Sequence, residues 1–231
     1  MNENILARSR FSRDTNSPIQ ALTKTDLAYL SIRQKILEGE FPPGTSVDQE
    51  ALAAELGLST TPVREALRRL EAERLVVGRA HRDTIVAPLS LETLEEVYAI
   101  RLCLDPLAAR LAAELATPEE RDRMRELAGE QSAENEDPVA HLHRNRQLHR
   151  AIYASCRNAL LIDYLDSLSD LSDRYRLVAL KDTFTIKLAQ KEHEDIVSAV
   201  VESNADLAAQ LMLEHTAESL RKIRAAASLQ E

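Results

Sequence analysis

The chain has 231 residues, of which 44% are apolar and only 3% aromatic, with 5 glycines and a net charge of −9. That length and apolar content build one large or two ordinary domains and exclude a disordered chain, while scarce Gly and aromatics argue against a β-sandwich or Rossmann fold. No run approaches the roughly 18 apolar residues that span a bilayer, and the first residues lack the apolar segment of a secretory signal, so a cytoplasmic protein without membrane contact is expected.

Residues 1–22 are polar, carry Arg8, Arg10 and Arg13, and read as a mobile tail. Thr25 is positioned to cap a first helix, with Leu27, Leu30, Ile32 and Ile36 on its apolar side and Gly39 as its stop. The Phe41-Pro42-Pro43-Gly44 run forces a turn. Asp48 then caps a short helix over 49–56, and Gly57 reverses the chain. Ser59 caps the next helix, which holds Pro62 in its first turn and runs to about Ala72. Val63, Ala66, Leu67 and Leu70 face inward on that helix, leaving Thr60, Thr61, Arg64, Arg68 and Arg69 outward. Two β-rich pieces, 75–77 and 84–86, flank a polar tip, and Ala87-Pro88-Leu89 closes the unit as a linker.

From Ser90 onward only helical patterns occur. Ser90 caps a helix over 91–116, and Thr117-Pro118-Glu119-Glu120 is a capping box. Asp137-Pro138 opens a helix to about Cys156, and further helices cover 160–180, 184–202 and 205–226. The expected fold is mainly α: a winged helix-turn-helix over 23–88, then an antiparallel six-helix bundle over 89–231. Cys103 and Cys156 are too few and too far apart for a disulfide framework and read as helix-packing thiols.

Charge divides along the same boundary. Residues 1–88 carry 12 basic and 12 acidic residues, so the whole net charge of −9 lies in the second part. A local basic face in the first part is therefore free to meet phosphate. Short helix, Gly turn, helix with small polar and Arg residues outward, then a two-stranded wing is the layout of a major-groove reader of duplex DNA. Thr60, Thr61 and Arg64 lie at the tip that meets base edges, and Arg68, one turn on, meets phosphate.

The stretch LAAELGLSTTPVREALRRLEAERLV, residues 52–76, resembles the winged-helix signature of GntR-type regulators. The resemblance implies operator contacts from Ser59, Thr60, Thr61, Arg64 and a wing carrying His81 and Arg82. Three departures from that pattern matter: Thr60 where many relatives have Arg, Glu50 where they have a basic residue, and Arg74 and Asp83 where they have Gly. Loss of Arg at position 60 removes a guanine contact and predicts a different operator. Asp83 would repel phosphate, which shifts the wing contact onto His81 and Arg82.

In the second part, Asn145 and His149 lie i, i+4 on one helix, while His193 and His215 sit in apolar stripes of the last two helices. Three imidazoles converging inside a bundle would be costly unpaired, and a divalent metal is their natural occupant. His81, His141 and His143 read, residue by residue, as ordinary surface or hydrogen-bonded histidines. NRQLHRAIYASCRN and KEHEDIVSAVVESNADLAAQLMLEH resemble the FCD effector domain of the FadR-like GntR subfamily, over about 91–226. That resemblance implies a ligand set of Asn145, His149, His193 and His215 for an ion such as zinc or nickel, a homodimer, and a small organic-acid effector. Arg101 matches a cavity-facing Arg of that domain and has two open roles: a bidentate partner for an effector carboxylate, or an ion pair with Asp105. A metalloenzyme is disfavoured, because no Glu or Asp falls in a motif that would make it a general base. A metal sensor remains a third class.

Overall fold

The computed structural model describes residues 22–78, 84–130, 137–180 and 186–227. The chain divides at Pro88/Leu89 into two compact units.

The first unit holds α1 (Lys24–Leu37), α2 (Gln49–Leu56), α3 (Thr60–Ala72), β1 (Val76–Gly78) and β2 (Thr84–Val86). The cap of α1 is Thr23, not the expected Thr25. Thr23 and Asp26 form a reciprocal capping box, and Thr25 lies inside the helix with its hydroxyl donating to Glu65 Oε2 at 2.8 Å. Asp48 caps α2 by accepting from the Glu50 and Ala51 N–H groups at 2.9 and 3.0 Å, and Gly57 ends it at φ 64°. Ser59 occupies the cap position of α3, but its side chain makes no capping bond. Ala28, Ile32 and Ile36 of α1 bury with Leu52, Val63, Ala66, Leu67 and Leu70.

The wing is an antiparallel pair in register Val76↔Val86, Val77↔Ile85 and Gly78↔Thr84. The sequence pattern suggested two strands alone. The segment after the Pro-Pro-Gly turn also pairs on the free edge of β2: Val86 N–H donates to Thr45 O at 2.9 Å and Val47 N–H to Thr84 O at 2.8 Å. Arg74, between α3 and β1, has φ 60°, the left-handed region that glycine enters without steric cost. Arg74→Gly is therefore expected to stabilise the unit by about 0.5–1 kcal/mol, the relieved strain outweighing the added freedom of the unfolded chain. Urea titration of the two proteins checks this.

The second unit contains six helices and no strand among its described residues: α4 (Leu91–Leu115), α5 (Pro118–Gly129), α6 (Pro138–Ala154), α7 (Ala159–Leu180), α8 (Ile186–Val201) and α9 (Ala205–Ala227). Small residues on α4, namely Ala108, Ala109, Ala112 and Ala113, let neighbouring backbones come close. Met124, Ile152, Leu165, Val200 and Met212 fill the space around them. Ser90 caps α4, and Tyr175 of α7 brackets it: the phenol donates to Ser90 O at 3.0 Å and accepts the Ser90 N–H at 3.2 Å.

Arg121 of α5 ties two helix ends together. Its guanidinium donates to Ala113 O and Ala116 O at the end of α4, and to Val200 O and Val201 O at the end of α8. Carbonyls at helix C-termini lack intrahelical donors and carry partial negative charge, so one cation satisfies four of them. The cysteines part company: Cys156 is buried as expected, whereas Cys103 is exposed, because α4 turns that face away from the core.

Candidate functional site

On α3 the inward face is consumed by the core, so the remaining residues project outward by helical period alone. Ser59, Thr61, Arg64 and Arg68 are exposed and Thr60 is half-buried. Arg64 and Arg68 make no hydrogen bond or ion pair with the described residues. Arg69, expected outward, instead pairs with Asp26 at 2.8 Å and lies 4.3 Å from the centre of the Tyr29 ring, which fixes α3 to α1. Burial pushes the Asp26 carboxyl upward, but hydrogen bonds from Thr23 and Arg69 outweigh it and hold it below its ordinary value. The uncommitted cations of this helix are thus those one turn apart, Arg64 and Arg68. Glu50 is exposed in the first turn of α2. His81, Arg82 and Asp83 lie outside the described residues.

In the helical unit α6, α8 and α9 bring His149, His193 and His215 together. All three are buried, and their ligand atoms lie within 4.8 Å of one another. His149 Nε2 and His193 Nε2 stand 3.3 Å apart. The third imidazole packs against both, with ring centroids 5.2 Å from His149 and 4.6 Å from His193. Outer partners fix the rings: His215 Nδ1 meets Glu192 Oε2 at 2.7 Å, and His149 Nδ1 meets the Tyr153 hydroxyl at 3.1 Å. A His215 that donates from Nδ1 to this carboxylate leaves its Nε2 lone pair free, and that buried Nε2 has no hydrogen-bond partner among the described residues.

Electrostatics keep the trio neutral. Burial is the main cause in each case; neighbouring imidazoles add to it at His149 and His193, and Arg176 adds to it at all three. His149 and His193 fall well below their ordinary value, and His215 falls to about 3. Three buried, neutral, convergent imidazoles, one with an orphaned nitrogen, are a donor set that fits a borderline divalent ion.

Asn145, one turn before His149, is half-buried and lines a cavity between α5, α6 and α8 together with His141, Gln190 and His193. His141, read from sequence as an ordinary histidine, thus shares a wall with two of the expected ligands. The i, i+4, i+8 spacing of residues 141, 145 and 149 was the available signal. Arg101 is 1% exposed, and its guanidinium is spent inside the fold. Nε and Nη2 donate to Asp105 Oδ2 at 3.2 and 2.8 Å, and Nη1 to Ser172 Oγ at 2.7 Å. Burial opposes its charge, but the Asp105 carboxylate outweighs burial and raises its pKa. Of the two roles open for Arg101, the ion pair is the one the geometry displays.

Comparisons with known proteins agree with this layout. Residues 24–86 match the model of the gntR family of bacterial regulatory proteins, and residues 96–218 match that of the FCD domain. The galactonate operon transcriptional repressor of Escherichia coli is 28% identical over 224 residues, covering 88% of this chain and 98% of that protein. The probable D-xylose utilization operon transcriptional repressor of Paenarthrobacter nicotinovorans is 31% identical over 187 residues, covering 80% and 82%. Among solved structures, E. coli McbR/YncC superposes with a TM-score of 0.78 at 22% identity, covering 88% of this chain and 98% of that one, a likeness of fold. No helix among the described residues is long and apolar enough to cross a membrane. The chain belongs to the GntR family of bacterial transcriptional regulators, with an FCD domain following its winged helix-turn-helix.

Proposed function

We propose that this protein is a repressor whose affinity for operator DNA is set by a small organic acid bound at a divalent metal in the helical unit. The convergence of three buried, neutral imidazoles in the chain that also carries α3 supports this reading. His149, His193 and His215 would hold the ion, zinc or nickel, with the Asn145 amide as a weaker fourth ligand. If bound there, the metal would act as a Lewis acid toward a carboxylate oxygen of the effector. Ser59, Thr60, Thr61 and Arg64 read the major groove, Arg68 meets phosphate, and His81 and Arg82 carry the wing contact.

Two copies acting on a pseudo-palindromic site complete the reading. Exposed Ile100 and Leu107, two turns apart on α4 beside the partly buried Leu111, offer an apolar row for a second copy. The effector changes operator affinity by the difference in its own affinity for the two placements of the DNA-binding units, and by no more.

Elemental analysis of the purified protein, joined to a thermal-shift screen of small organic acids with and without chelator, tests the sensing half. A stabilisation confined to one acid and abolished by chelator is expected; an acid-independent, metal-free protein contradicts it. For the reading half, Arg64→Ala is expected to weaken operator binding by roughly 5–100-fold without changing the melting temperature, measured by gel shift and calorimetry. Unchanged affinity would remove Arg64 from the contact set.

A further inference from the structure

Two guanidinium groups reach α9, the helix that carries His215, and they differ in how they are neutralised. Arg101 does so through Asp105, whose Oδ2 accepts from Thr216 Oγ1 at 3.0 Å next to His215, and Arg176 through Ser219. Arg101 is matched by its own carboxylate, with Asp105 Oδ2 taking two of its donors.

Arg176, on α7, has a weaker match, although its side chain is only 11% exposed: one long contact to a carboxylate that it shares with Arg146. Its Nε and Nη2 share a single neutral acceptor, Ser219 Oγ, at 3.3 and 3.1 Å. That hydroxyl is also engaged by the Tyr98 phenol at 2.8 Å. Its Nη1 stands 3.4 Å from Asp173 Oδ1, whereas the other oxygen of Asp173 is held by Arg146 at 2.8 Å. Ser219 lies one helical turn beyond His215 on α9, which places the fork of Arg176 next to the ligand cluster. A guanidinium presents five donors in a plane suited to a carboxylate, and here the nearly buried Nε and Nη2 fork meets only a shared hydroxyl while Nη1 has a long contact to a shared carboxylate.

We propose that Arg176, in place of Arg101, is the residue that reads the anionic group of the effector, its fork taking a carboxylate that reaches in beside the three imidazoles. This rests on the reading of the helical unit as an effector site and names the cation within it. Arg101, already neutralised, then serves as a positioning residue that holds α4 against α7 through Ser172.

The test uses the full chain loaded with Co2+ and titrated with acetate, following the visible absorption of the ion and the thermal shift of the protein. The Arg176→Gln variant, its folding checked by circular dichroism, is expected to take up Co2+ as the wild type does. It should need roughly 10–100-fold more acetate for the same spectral change, the worth of a charge-assisted pair of hydrogen bonds. Arg176→Lys, which keeps the charge and loses the fork, should recover only part of that affinity. Equal acetate affinity in wild type and Arg176→Gln overturns the proposal and leaves the metal centre standing. Should Arg176→Gln not fold, unchanged affinity in Arg176→Lys overturns it equally. A wild type that takes no Co2+ removes the metal from the account. Acetate stabilisation that still requires Arg176 would then support the anion site alone, and its absence would overturn that site too.

Discussion

Arg121→Ala is expected to lower the melting temperature of the helical unit by roughly 5–15 °C. The reason is geometric. One guanidinium accounts for carbonyls at the ends of both α4 and α8, and it also reaches Ser203 Oγ at 2.9 Å. Truncation releases the carbonyls to water, which is near because the side chain is only part-buried, so the loss is about 2–4 kcal/mol and not the sum of the separate bonds. Arg121→Lys keeps the charge but not the fork and should restore less than half of the deficit. Differential scanning calorimetry of the three proteins decides the matter; a shift of under two degrees for Arg121→Ala would mean that packing alone holds these ends.

His149→Ala is expected to weaken divalent-ion binding by at least about 100-fold, because removal of even an outer partner of a ligand commonly costs 10–100-fold. Competition with a chromophoric chelator measures it, and retained affinity would remove His149 from the ligand set. The same residue governs acid sensitivity of the metal-free protein. Folded-state values for the three imidazoles lie below the ordinary 6.5, so their contribution is fully present above that pH. As pH falls below it, the unfolded chain takes up protons that the folded chain refuses, and stability drops toward about pH 3, where His215 itself titrates. Each imidazole contributes up to about 1.4 kcal/mol per pH unit in that window. Metal-free His149→Ala should therefore lose less stability than metal-free wild type between neutral pH and pH 5. A steeper loss in the variant would mean that the trio is not neutral in the folded chain.

Features set by a few adjacent residues were legible in the sequence. Asp48, Gly57, Ser90 and the Thr117 to Glu120 box act through bonds within a turn, and each stands where its local chemistry places it. The first helix was misread by two residues because Thr23 and Thr25 are both competent caps, and only the reciprocal bond from Asp26 separates them. Long-range partners were not legible. Arg69 reaches an acid 43 positions earlier, and the edge pairing of Thr45 and Val47 on β2 depends on how the Pro-Pro turn aims the chain. The histidine trio was accessible because His193 and His215 lie in apolar stripes and His149 shares a helix face with Asn145, and the Arg101–Asp105 pair because it is i, i+4; the contacts of Arg101 with Ser172 and of Arg176 with Ser219, across 71 and 43 positions, are encoded by no local pattern.

Occupancy of the imidazole trio is expected to set operator affinity. Fluorescence anisotropy on a footprinted operator, comparing wild type and His149→Ala with and without divalent metal plus the acid found by thermal shift, tests it most directly. A change in operator Kd of roughly 5–150-fold is expected for the wild type and none for the variant, which should still bind DNA. Identical Kd values for the wild type in both states, or an equal response from His149→Ala, would contradict it.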